Sequence, residues 1–272
     1  MIQEWGYGPR TPMPTRLYLD SARMGLLSER ARSAHLDYVR LATTEGCSLY
    51  FSQLLQRGFQ DWPRTARRQC PALQDWQGIG ELQGALRQFV GATPGTQVML
   101  ANRTAEIVRL AARRLCENSS RILVSDLTWP SYRRILERER QLGRVGISTV
   151  SVRSPVHDHG ASIEAILKRF EQNYDRMACD SLFIPVISHD GIRLPVDTIC
   201  RRLNQIRPLR FVVVDAAQAL GHVTDELGLN DGDIVIAGCH KWLQAHVPMG
   251  LGFLPNAVSG EKTRRTAERM LA

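Results

Sequence analysis

Lysine is scarce in this chain: Lys168, Lys241 and Lys262 are the only three among 35 basic residues, and arginine supplies the rest. None of the six cysteines, Cys47, Cys70, Cys116, Cys179, Cys200 and Cys239, forms a C-x-x-C pair. That argues against a zinc site and against a disulfide framework, and for a reducing compartment. No apolar run approaches the roughly 20 residues of a membrane-spanning helix. The opening stretch MIQEWGYGPRTPMPTR, with its acid and three prolines, has no secretory apolar core. A cytoplasmic protein with no membrane partner and no bound metal is expected. Internal repeats and low-complexity segments are also missing.

What is present suits one large domain. At 272 residues and 43% hydrophobic content, such a chain buries about three quarters of its unfolded surface. The net charge of +8 invites a nucleic-acid reading. The arginine pairs at 67–68, 113–114, 133–134, 201–202 and 264–265 are spread along the chain, however, and alternate with acids, as in RRILERER. That is the pattern of solvated helix faces, and no nucleic-acid partner is expected.

From residue 97 onward, apolar runs alternate with amphipathic segments. The predicted strands are 97–101, 121–126, 145–152, 181–187, 210–215, 233–238 and 250–254. Helices are predicted near 104–117, 130–141, 161–173 and 196–205, with a short one after 215. The strand runs are almost continuously apolar, as for strands covered on both faces, so the sheet is expected to be central and mostly parallel. About 95 residues of mixed helical pattern precede it, including LSERARSAHLDYVRLA and GELQGALRQFVGA.

Ligands of such sheets bind beyond the carboxyl ends of the strands. After QVMLA comes NRTAE, where Arg103, Thr104 and Ala105 open a helix whose free N–H groups suit a phosphate; taken alone, Thr104 also reads as an N-cap. After RILVSD comes Trp129, a flat surface at the mouth of the sheet or an ordinary edge tryptophan. Ser188 and His189 follow SLFIPVI in a turn that could explain them by itself. Asp215 ends RFVVVD, with Gln218 three residues on; a lone acid there is commonly a helix cap.

Lys241 follows DIVIAG and precedes Trp242 and Leu243. Its amine is therefore expected to be partly desolvated, with a lowered pKa that frees the lone pair for attack on a carbonyl. One ligand uses all these groups together: pyridoxal phosphate. It needs a lysine for an imine, a carboxylate at its pyridine nitrogen, a flat group over the ring, a hydrogen bond at the ring oxygen, and a phosphate cradle.

These residues resemble the class V aminotransferases of fold type I, the group of cysteine desulfurases, kynureninase-like and isopenicillin-N-epimerase-like enzymes. The resemblance runs from LYLDSARMG (17–25) to MGLGFL (249–254) and is most specific at D-x-x-Q (Asp215, Gln218) followed by His240-Lys241. It implies a three-layer α/β/α large domain with a mostly parallel seven-stranded sheet, of the aspartate-aminotransferase type, over 21–255. An N-terminal arm over 1–20 and the start of a truncated small domain over 256–272 complete the expected organisation.

It also implies a homodimer, an amino acid or amine substrate, and an internal aldimine on Lys241, which would then shuttle a proton at the substrate α-carbon. Asp215 would pair with the pyridinium nitrogen and Gln218 would bond near the ring oxygen or imine. Thr104, the Ala105 backbone and His240 would meet the phosphate. Trp129 would stack on the ring, and Ser188 would face its oxygen.

The chain departs from the family at NRTAE, which lacks the usual glycine, and at Gly238, where a phosphate-binding Ser or Thr is common; Arg103 could compensate. Transamination, elimination or desulfuration and epimerisation share these residues. A catalytically degenerate or truncated homologue acting as a dimeric scaffold is the alternative. Cys239, beside the His-Lys pair, reads as structural, since no sequence cue lowers its pKa.

Overall fold

The computed structural model describes residues 17–46, 52–223, 227–245, 247–255 and 257–271. Most of the expected N-terminal arm therefore lies outside the described residues. Helices α1 (Glu29–Glu45), α2 (Ser52–Arg57), α3 (Arg64–Gln69) and α4 (Ile79–Phe89) come first. A small satellite core of Leu41, Leu54, Phe59, Trp62 and Cys70 gathers α1 to α3.

The sheet follows, built from β1 (Gln97–Ala101), β2 (Arg121–Ser125), β3 (Gly146–Val150), β4 (Ser181–Pro185), β5 (Phe211–Asp215), β6 (Ile234–Gly238) and β7 (Gly250–Leu254). Its order is β1-β7-β6-β5-β4-β2-β3. The pairings among β3, β2, β4, β5 and β6 are all parallel. Strand β7 is antiparallel to both neighbours. The sheet is thus mostly parallel, as expected, with one reversed strand.

Helices between the strands cover both faces: α5 (Thr104–Asn118), α6 (Pro130–Gly143), α7 (Arg153–His157), α8 (Ile163–Arg176) and α9 (Val196–Ile206). Alternate strand residues feed two separate cores. Phe183, Val213 and Ile236 pack under α5 and α6 through Leu115 and Leu136. Ile184, Val212 and Val214 pack under α8 and α9 through Phe170 and Leu203. Every residue of β4, β5, β6 and β7 is buried, whereas the edge strands β1 and β3 are only partly covered. This is the three-layer α/β/α arrangement. A last helix, α10 (Ala257–Leu271), packs against α5 and β7. Among the described residues no helix is long and apolar enough to cross a membrane.

One expected element is absent. The residues after β5 make a turn and not a short helix. The Ala219 and Leu220 N–H groups both return to the Ala216 carbonyl, and the His222 and Val223 N–H groups to that of Ala219, so the chain makes tight turns in place of a continuing helical ladder. Gly221, at φ +76°, then reverses the chain. Conversely, α7 was not foreseen; five residues around a proline carry too little periodicity to show.

Register brings the strand ends together. Pro185 pairs with Asp215 and Asp215 with Ile236, while Ala101 pairs with Gly250 and Gly250 with Gly238. The carboxyl ends of β1, β4, β5 and β6 and the start of β7 therefore line one edge, opening a crevice there.

Candidate active site

A cavity of about 500 Å³ occupies that crevice. Arg103, Thr104, Ala105, Trp129, Ser188, His189, Asp215, Gln218, His240 and Lys241, all picked out at strand ends in the sequence, line it. A larger cleft of about 1150 Å³, bounded in part by Phe89, Arg193 and His222, holds none of them. Size does not single this cavity out; its convergent polar groups make it the candidate.

Asp215 is 6% exposed. Burial pushes its pKa up to about 6, against the opposing pull of the Ala217 N–H, 3.0 Å from Oδ1, and of the nearby Lys241 ammonium. Lys241 is displaced the other way: desolvation lowers its pKa, and Asp215 partly restores it. Each group thus sits in a place that favours its neutral form, and each acts on the other's charge. His240 is lowered as well, first by burial and then by Lys241. Among the described residues its buried Nδ1 has no hydrogen-bond partner. Cys239 beside it is 4% exposed, and burial pushes its thiol up to about 11, so it is a thiol and not a thiolate near neutral pH.

Helix α5 starts at the cavity wall. Arg103 is its N-cap residue, and among the described residues its side chain makes no capping bond, so N–H groups are left to the cavity. Thr104 is the first helical residue and not the cap. Its hydroxyl donates instead across to the Ala237 carbonyl of β6, at 3.3 Å. A Cβ added at Gly238 would lie 2.7 Å from Thr104 Oγ1 and 3.3 Å from the His240 ring. Thr104 and His240 therefore fill the space that a side chain at 238 would take.

Trp129 is the N-cap of α6, with Pro130 in the first turn. It is 44% exposed and meets His189 edge-on, with centroids 5.0 Å apart, so it is not a core residue. Ser188 is 3% exposed and already engaged: its hydroxyl donates to Asp190 at 2.5 Å and accepts from the Ile192 N–H at 2.9 Å. Only a lone pair remains for a ligand. Asp190 is in turn paired with Arg153 and with His157 at 3.4 Å.

The N-terminal segment closes the cavity from outside the sheet. The Gln218 Nε2 donates to the Ala22 carbonyl at 2.7 Å, and the Gly25 N–H donates to the His240 carbonyl at 2.8 Å. A Cβ at Gly25 would fall 1.8 Å from the Lys241 carbonyl oxygen, so only glycine permits this approach.

Asp20, Ala22 and Arg23 join the lining this way, and so does Tyr132, one helical turn after Trp129. Burial, helped by Asp215, raises the Tyr132 phenol. No role for these residues was read from the sequence. Tyr132 had a signal, its i+3 spacing from Trp129. For Arg23 only its place in LYLDSARMG pointed to the site.

The donor set fits pyridoxal phosphate. An orphaned imidazole nitrogen and an uncapped helix N-terminus form an anion cradle, and a buried acid lies near an amine poised to be neutral.

A family model for aminotransferases of class I and II matches residues 41–200. Among solved structures, the cysteine desulfurase from Thermococcus onnurineus NA1 matches with a TM-score of 0.61 at 16% identity, over 88% of this chain and 53% of that one. A C-DES mutant with glycine covalently linked to its PLP cofactor matches at 0.63 and 16%, over 91% and 59%. The cystine C-S lyase C-DES with its product cysteine persulfide matches at 0.59 and 16%, over 89% and 57%. No curated protein matches. At such identities the likeness is one of fold, and the chain spans 53–59% of the length of these structures.

Proposed function

The chain belongs to the aminotransferase class I and II family, and from that premise we propose that it is a pyridoxal-phosphate enzyme of the class V type acting at the α-carbon of an amino acid or amine. The observation that carries the proposal is the Lys241 and Asp215 pair, delivered by neighbouring strands to one cavity with opposed pKa displacements. Bound through its carbonyl, the cofactor would supply an electron sink for charge left at the substrate carbon.

Lys241 would hold the cofactor covalently through its amine, which burial keeps nucleophilic, and would then carry a proton to or from the α-carbon. Asp215 would face the pyridine nitrogen, whose positive charge would return the buried carboxyl to its ionised form. Gln218 would meet the ring oxygen, and Trp129 would cover one face of the ring. The α5 N-terminus at Thr104 and Ala105, with His240 Nδ1 and the Arg103 guanidinium, would take the phosphate. Here Thr104 takes the place left by Gly238, which answers the missing Ser or Thr. Ser188 would contribute only as an acceptor and as wall.

A homodimer and a cytoplasmic location belong to the same reading. Cysteine persulfide is the product of C-DES; for this chain, carbon–sulfur cleavage stands beside transamination and epimerisation. The Cys239 thiol gives no support to a nucleophilic cysteine.

Purified protein mixed with pyridoxal phosphate is expected to gain a visible absorption band. Borohydride should fix that mass to the peptide containing Lys241, and Lys241→Ala should abolish both. A folded wild-type protein that stays colourless with added cofactor overturns the reading in favour of a scaffold. Assays of amino acids for keto acid, sulfide or inverted product then separate the three reaction types.

A further inference from the structure

Gln218 owes its orientation to a residue outside the cavity. The Trp242 indole N–H, which can only donate, points at Gln218 Oε1 across 3.2 Å. The Ala22 carbonyl, which can only accept, takes a proton from Gln218 Nε2 at 2.7 Å. The two contacts demand the same placement of oxygen and nitrogen, so the amide cannot turn over without breaking both. One Nε2 proton remains uncommitted among the described residues, on a side chain that lines the cavity.

The indole is itself held. His222 stacks on it with ring centroids 3.9 Å apart and planes 12° from parallel. The His222 Nδ1 lies 3.1 Å from the Gln218 carbonyl oxygen, which only accepts, so Nδ1 carries the proton. Gly221 lets the two segments meet: a Cβ there would be 2.9 Å from the Leu243 side chain and 3.4 Å from the Trp242 backbone. The turn after β5 and the segment after β6 are thus clamped through Gln218, His222 and Trp242, with Lys241 beside the clamp.

We propose that Trp242 is a positioning residue that acts through Gln218: backed by His222, its indole N–H fixes the amide so that Gln218 offers the cavity a donor N–H and not a carbonyl oxygen. The ligand group it prepares for is an anionic or carbonyl oxygen. Under the reading above, and resting on it, that group is the ring oxygen of pyridoxal phosphate.

Two measurements test this. In 15N-labelled, cofactor-free protein, Trp242→Phe identifies the Trp242 indole resonance among the five tryptophans. Gln218→Ala should shift that resonance upfield, and Gln218→Glu, which keeps an acceptor, should restore it. A resonance identical in wild type and Gln218→Ala overturns the clamp whether or not the protein binds cofactor.

In the loaded protein, Trp242→Phe and Gln218→Ala should each weaken pyridoxal phosphate affinity by about tenfold, the scale of one hydrogen bond. The double variant should be no weaker than Gln218→Ala alone. Additive losses, or a Trp242→Phe protein with wild-type affinity and an unmoved visible band, overturn the positioning role. A wild type that binds no cofactor is a different result: it defeats the proposed function, and the indole resonance still decides the clamp.

Discussion

Asp215 ends a strand whose other four residues are apolar and buried, and its cost to the fold is measurable. Its pKa in the folded chain is raised from 3.8 to about 6, chiefly by burial. For an acid, that sign means the native state keeps a proton the unfolded chain has already released. Stability is therefore lost as pH rises from about 4 to about 6 and does not return above it. A shift of this size corresponds to about 3 kcal/mol. Asp215→Asn keeps an oxygen for the Ala217 N–H while removing the titration. Chemical denaturation of cofactor-free protein should find the variant equal to wild type near pH 4 and more stable by about 2–3 kcal/mol at pH 7. A difference that does not change with pH would mean that Asp215 is not desolvated. Asp215 and Lys241 could be read from the sequence because a charge inside apolar surroundings is anomalous. Tyr132 offered only its spacing from Trp129, which is ordinary on a helix face until Asp215 is placed beside it.

At the scale of elements, glycines mark where the pieces approach most closely. Gly250 begins β7 against the first turn of α5, and a Cβ there would lie 2.7 Å from the backbone of Arg103 and Thr104. Gly250→Ala is expected to cost about 1–3 kcal/mol, as overpacking does, and to disturb the α5 N-terminus as well. Gly84, inside α4, has nothing within 4 Å of an added Cβ. Gly84→Ala should stabilise by about 0.5–1 kcal/mol through helix propensity. Thermal melts of the two variants should move in opposite directions; a shift of the same sign in both would show that the close approach at Gly250 is not rigid. The strands themselves were legible, 97–101 and 250–254 to the residue. Several others end one or two residues early, because the last residues leave the ladder for other partners: Asp126, expected in β2, instead caps the Val152 and Arg153 N–H groups. The turn after β5 was missed because its alanines suit a helix, and what ends the helical turn is Gly221, whose positive φ brings the chain against Trp242 and Leu243, partners far apart in sequence.

For the whole molecule, the surplus of +8 raises the question of whether the arginines form a continuous basic track. Their partners argue that they do not. On α6, Glu137 takes both Arg133, at 2.9 Å, and Arg140. Arg113 of α5 reaches Glu139 of α6 at 3.3 Å, and Arg114 meets Glu117 at 2.5 Å. On the opposite face, Arg202 bridges Glu164 at 2.7 Å and Glu171 at 3.3 Å. Apart from the buried Arg114 and the largely covered Glu139, these side chains are too exposed to add much stability, but the pairs break the positive field into patches on both helical layers. A polyanion needs several phosphates neutralised at once, and each neutralised phosphate adds about 0.9 to the slope of log affinity against log salt. Binding to a labelled DNA duplex should therefore be weak, with a slope no steeper than about 3 when followed by fluorescence anisotropy between low and physiological salt. A slope of about 6 or more would mean that the basic residues act together. The surplus charge would then belong to a second function and not to helix faces facing water.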